Sequence, residues 1–126
     1  MRTIASETVS LGLTKHDKEI ETKRDLSYLN HDFPCVVPAG TKLTIYWSTK
    51  IPSRVYFDFA GHLRATRVSN MHKTFYGKFS KMPRPETLEK WEYNKGGCRT
   101  VTGHWTEPDG YGPDGSPSWM LVMGVI

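Results

Sequence analysis

The segment from Pro34 to Phe59, PCVVPAGTKLTIYWSTKIPSRVYFDF, commits this chain to an antiparallel β core. Pro38-Ala39-Gly40 is turn chemistry, because proline fixes φ and glycine is free to take positive φ. Leu43, Ile45 and Trp47 then alternate with Lys42, Thr44 and Tyr46, the period-two pattern of a strand with one buried face. Beyond Pro52-Ser53, Val55, Phe57 and Phe59 share one face and Arg54, Tyr56 and Asp58 the other. Two such strands joined by a short loop predict a hairpin. Burial of each large apolar side chain on its inner face contributes about 1.5–3 kcal/mol, much of it offset by chain ordering, so the hairpin is expected to nucleate the core.

Charge is the second constraint. The formal net charge is +4, but Lys42 to Arg84 carries nine lysines and arginines against the single acid Asp58, net +8, and the remainder is net −4. Basic charge confined to one segment sets up a directed field and favours an acidic partner, either an acidic protein surface or nucleic acid. Within it, Lys73 to Lys81 reads KTFYGKFSK, interleaving bases that pair with phosphates and rings that offer stacking faces. The candidate partner-binding residues are Arg54, Arg64, Arg67, Lys73, Tyr76, Lys78 and Lys81, with Arg64 pointing outward from a third strand over Leu63 to Val68. Phe75 and Phe79 suit the core equally well, and Tyr76, with its hydroxyl, is the better exposed candidate. The competing reading is a solvated face that keeps the protein soluble.

The rest of the chain frames this middle. Its 126 residues suit one domain spanning 1–126, long enough to bury a core without metal or disulfide staples. Ile4, Val9, Leu11 and Leu13 are consistent with one strand, and KHDKEIETKRD after them reads as a solvated loop or a short helix with little to bury. In PETLEKWEYNKGG, Pro85 suits a first helical turn, Glu86 and Glu89 sit near the positive end, and Gly96-Gly97 is a stop. Leu88 and Trp91 would pin that helix to the sheet. Cys98, Thr100, Thr102 and His104 then alternate with Arg99, Val101, Gly103 and Trp105 as a further strand. The expected fold is α+β or mainly β: a twisted antiparallel sheet or partly open barrel with one short helix.

Near the end, Pro108-Asp109-Gly110 and Pro113-Asp114-Gly115 form a tandem turn. Ser116-Pro117 fits a helix N-cap and first position, yet Met120 to Val125 is continuously apolar and suits a buried strand as well. Either way the segment must be buried or engage a partner chain, including a second copy of this one. Glu107, Asp109 and Asp114 lack the alternating acids of a calcium loop, and His31, Cys35, Cys98 and His104 lack a tight Cys-x-x-Cys knuckle, so no metal or other cofactor is expected. The two cysteines read as reduced thiols, with a single disulfide as the alternative. No nucleophile elbow, phosphate loop or nuclease-like acid cluster is present, which points away from an enzyme. The first residues lack the apolar run of a signal peptide and no stretch approaches a membrane span.

The ending Glu107-Pro-Asp-Gly-x-x-x-Asp-Gly-x-Pro-Ser-Trp119-x-Leu121-x-x-Gly124-x-Ile126, preceded by Pro38-Ala-Gly-Thr41 and Leu88-Glu-Lys-Trp91, resembles small accessory proteins of tailed bacteriophages and prophages. The resemblance covers mainly the C-terminal third and carries no catalytic residues. It implies a protein of the host-cell cytoplasm that binds a host macromolecule or nucleoprotein complex, with inhibition of host defence as one such role. The alternatives are a non-catalytic nucleic-acid-binding module and a structural or assembly subunit using the apolar C-terminus.

Overall fold

The computed structural model describes residues 11–28, 35–94 and 97–124. Its centre is a four-stranded antiparallel sheet in the order β1 (Leu13–Lys15), β6 (Ile45–Ser48), β7 (Arg54–Phe59), β8 (His62–Arg67). The predicted hairpin is its middle pair, with Ile45 opposite Phe57 and Trp47 opposite Val55. All four of those side chains are buried, and Leu43 with them. The chain breaks its strand at Thr44, so that β5 (Lys42–Leu43) pairs not with the central sheet but with β2 (Ile20–Glu21). A third pair joins β3 (Leu26–Tyr28) to β4 (Cys35–Val37). Among the described residues the sheets do not close into a barrel, giving an antiparallel, strand-dominated fold with short helices.

The turn before β5 forms as its residues demand. Gly40 takes φ +83°, and Thr22 serves as its anchor: its Oγ1 donates to the Pro38 carbonyl (2.8 Å) and accepts from the Thr41 amide (3.0 Å). Thr22 lies in the charged stretch expected to have little to bury, and this expectation fails. His16, Ile20 and Thr22 are all buried: the alternation through β2 turns Ile20 and Thr22 against the core, and His16 packs on Trp47 ahead of a bend that leaves Asp17, Lys18 and Glu19 exposed. Of the expected strand through Ile4, Val9, Leu11 and Leu13, the first two lie outside the described residues, Leu13 opens β1, and Leu11 lies outside any strand because the chain turns at Gly12 (φ 61°).

The turn from β7 to β8 overturns a second expectation. Phe59 pairs with His62 across a two-residue connection in which both Ala60 (φ 55°) and Gly61 (φ 78°) are left-handed. This register sets Arg64 opposite Phe57 and Thr66 opposite Val55, so Arg64 lies on the core side and is 4 % exposed instead of pointing outward. In a strand a shift of one residue exchanges the two faces entirely.

A 3₁₀ turn (Val68–Asn70) and the single-turn helix α1 (Met71–Thr74) carry the chain back over the sheet and bury Val68, Met71 and Thr74. Phe75 and Phe79 complete this layer. Phe57 meets Phe75 edge-on (6.4 Å between centroids) and Phe75 meets Phe79 likewise (6.3 Å), so both phenylalanines are core residues. The helix α2 spans Pro85–Asn94, with Trp91 packed against the core.

The strand expected through His104 instead folds back on itself. The pair β9 (Cys98–Arg99) and β10 (Trp105–Thr106) sets Arg99 opposite Trp105, around a turn in which Gly103 takes φ +92° and donates to the Thr100 carbonyl (2.9 Å). Alternation cannot reveal a reversal when the turn residues are themselves part of the alternation. The C-terminal segment resolves as helix: α3 (Trp119–Val122) is capped by Ser118, whose Oγ accepts from the Leu121 amide (3.1 Å). Trp119 and Met120 are buried, and the Trp119 indole donates to Ser80 Oγ (2.8 Å). Cys98 is a buried free thiol. Among the described residues, no helix is long and apolar enough to cross a membrane.

Candidate functional site

The β1–β2 connection, the segment after α1 and the β9–β10 turn meet around a cleft of about 560 Å³. Asp17, Lys18 and Glu19 form one lip, Tyr76 and Lys78 a second, and Thr102, His104 and Asp114 a third. His16 lies at its base, 8 % exposed. Its Nδ1 accepts from the Trp47 indole (3.2 Å), which leaves the proton on Nε2, and Nε2 faces Asp17 Oδ1 at 3.3 Å. Both ring nitrogens are therefore occupied, and the imidazole edges against Trp47 (centroids 5.6 Å) as a packing group.

Across the cleft, His104 is half-exposed, with Nε2 3.7 Å from Asp114 Oδ2. The tandem turn builds the Asp114 position. The Gly115 amide donates to the Gly112 carbonyl (3.0 Å), and the side chain of Asp114 reaches two residues on, accepting from the Ser116 amide (3.1 Å) and hydroxyl (2.6 Å). Thr102 Oγ1 donates to its other oxygen (2.6 Å). Burial would raise the carboxyl's pKa, but hydrogen bonds from Ser116 and Thr102, with His104 beside them, outweigh that and hold it below its ordinary value of 3.8. Both hydroxyls bind the carboxylate and not the imidazole, so the cluster lacks the hydroxyl-to-histidine contact that activates a nucleophile. Glu107 and Asp109 lie apart from this carboxylate's bonds, and among the described residues no three ligand side chains gather as a metal site would need. His31 lies outside the described residues.

The basic residues distribute around the same region. Lys73, Lys78 and Lys81 are exposed, and Tyr76 is 55 % exposed. Lys23 joins them from the β2–β3 connection: its Nζ donates to the His72 carbonyl (3.0 Å) and lies 5.7 Å from the centre of the Tyr76 ring. The Tyr76 backbone is fixed by donation to the Glu21 carbonyl (2.8 Å), so the ring is presented from a paired edge. Burial lowers the pKa of His72 below its ordinary value of 6.5, and Lys73, Lys81 and Lys23 lower it further against a weaker opposing pull from the Ser69 carbonyl.

Arg54 and Arg67 are exposed and stand directly opposite each other on β7 and β8, in a second cleft that Met82 connects to Lys81. Arg64 is withdrawn from the set by its burial. Sequence reading missed Lys23, His72 and the meeting of His104 with Asp114. Lys23 is one charge among many in its stretch, and only the bridge of Thr22 to Phe75, with the Lys23 amide donating to the Thr74 carbonyl (2.7 Å), carries it to Tyr76. No family model, curated protein or solved structure matches this chain.

Proposed function

We propose that this chain is a non-catalytic binding protein that docks an acidic macromolecule on the lysine-rich surface around Tyr76. The observation that carries the reading is the exposed ring of Tyr76, held beside Lys23, which itself donates to the His72 carbonyl, in a segment that also exposes Lys73, Lys78 and Lys81. Clustered like charges repel in the free protein, and an acidic partner relieves that repulsion as it binds. The ordering of the Thr102 and Ser116 hydroxyls on Asp114 supports binding over catalysis at the neighbouring cleft. The likeness of the C-terminal pattern to phage accessory proteins supports a host macromolecule in the host cytoplasm as the partner, and interference with host defence as the consequence.

A second reading, a nucleic-acid module indifferent to sequence, is favoured by one feature: Tyr76 offers an exposed aromatic ring among lysines. Replacing Lys73, Lys78 and Lys81 together by glutamate tests the shared premise. The variant should keep its melting temperature and lose the partner, and wild-type affinity should fall steeply with salt, by about 0.7–0.9 log units per log unit of salt for each phosphate if the partner is nucleic acid. Retention of every partner by the variant would reduce the lysines to a solvated face.

A further inference from the structure

The second cleft, of about 350 Å³, is lined by Ser53, Arg54, Arg67, Ser69, Met82, Val122 and Met123, none of them acidic. Arg54 and Arg67 are cross-strand partners at the open end of the β7–β8 hairpin. Side chains so placed lie about 4.5–5.5 Å apart at Cβ, and like charges there destabilise a sheet. Neither guanidinium meets a carboxylate among the described residues. Two hydroxyls flank the pair, and beside it Met82 is 51 % exposed and Met123 37 % exposed. A costly pair of forked donors next to an uncovered aliphatic wall is suited to one kind of ligand: an oxyanion attached to an apolar group.

We infer that Arg54 and Arg67 form a carboxylate-binding site for an acidic peptide segment of the partner, with Met82, Val122 and Met123 receiving an aliphatic side chain next to that carboxylate. This rests on the binding function proposed above and names the partner as a protein. Guanidinium forks match a carboxylate bidentately, and each arginine retains the other's repulsion until a negative group enters. Methionine suits an aliphatic side chain because its flexible thioether adapts to shape. A nucleobase would instead call for a ring face, and the cleft lining contains no aromatic residue.

The probe is a short fluorescent peptide alternating glutamate and leucine, measured by anisotropy against the full chain. Beside it run a peptide with every leucine replaced by serine and an oligothymidylate. The glutamate–leucine peptide should bind, and should weaken about tenfold or more with the serine replacement and again with Arg54→Gln plus Arg67→Gln. The double variant should melt no lower than wild type, since it removes a repulsion, which separates lost binding from lost folding. Equal binding of the two peptides, or full binding by the double variant, overturns the site. Oligothymidylate binding that depends on Arg54 and Arg67 would overturn it in favour of nucleic acid. Concentration-dependent dimerisation lost in the double variant would overturn it in favour of a second copy of the chain. Should oligothymidylate bind through Lys73, Lys78 and Lys81 while neither peptide binds, the carboxylate site fails and the binding function stands. If no polyanion binds, both fail.

Discussion

Asp114 gathers more polar partners than any other side chain described above, and its removal has calculable consequences. Thr102, the Ser116 hydroxyl and the Ser116 amide all donate to it, and its side chain is only 8 % exposed. Asp114→Asn replaces one acceptor oxygen by a donor facing other donors, so the variant should lose about 1–3 kcal/mol in denaturant unfolding near neutral pH. The folded carboxyl titrates below its ordinary value of 3.8, so its contribution is complete above that value and is lost as pH falls through it toward the folded pKa. The stability difference between wild type and variant should therefore narrow in acid. A difference that stays constant down to the acid transition would show that the carboxylate's charge is not what the donors hold. The sequence displayed this residue as the centre of a Pro-Asp-Gly turn and as one of three loop acids, and not as a hydrogen-bond hub, for its partners at 102 and 104 come from across a turn that periodicity hid.

Among the elements, the hairpins separate what was legible from what was not. The β6–β7 pairing could be read because apolar residues alternate without interruption on both strands and the loop contributes proline. The β8 parity could not, since Ala60-Gly61-His62 reads as a three-residue turn and nothing marks alanine as accepting a left-handed conformation, whereas His62 already pairs with Phe59. That strain supplies a prediction. Ala60 has φ 55°, where a Cβ-bearing residue is disfavoured and asparagine is tolerated, and Asn-Gly is the preferred pair for a two-residue turn of this kind. Ala60→Asn should stabilise the domain by about 0.5–1 kcal/mol in thermal or denaturant melts. A loss of stability would mean that the turn does not hold both residues left-handed. The helix α2 was legible because proline and acids mark its start, whereas α3 was not, its cap lying two residues beyond the first serine that could have served.

For the whole molecule, the binding surface and the fold should respond to pH in opposite senses, and His72 is the reason. Its folded pKa is depressed, first by burial and then by Lys73, Lys81 and Lys23, so on acidification through 6.5 the unfolded chain takes up this proton more readily than the folded one. The free protein should therefore lose stability over that range. An acidic partner seated on the three lysines reverses the sign locally: its negative charge offsets theirs, raises the His72 pKa and makes binding take up a proton. Affinity should then increase as pH falls through 6.5 toward the folded pKa, with the dependence greatly reduced in His72→Gln. Calorimetry of the complex in two buffers of different ionisation enthalpy would read the proton uptake directly, separating it from titration of the partner when wild type and variant are compared. His104 lies on the cleft's far lip beside Asp114, and His104→Gln should leave the uptake in place. Equal pH dependence in wild type and His72→Gln would place the partner away from the lysine cluster, even if its binding were strongly weakened by salt.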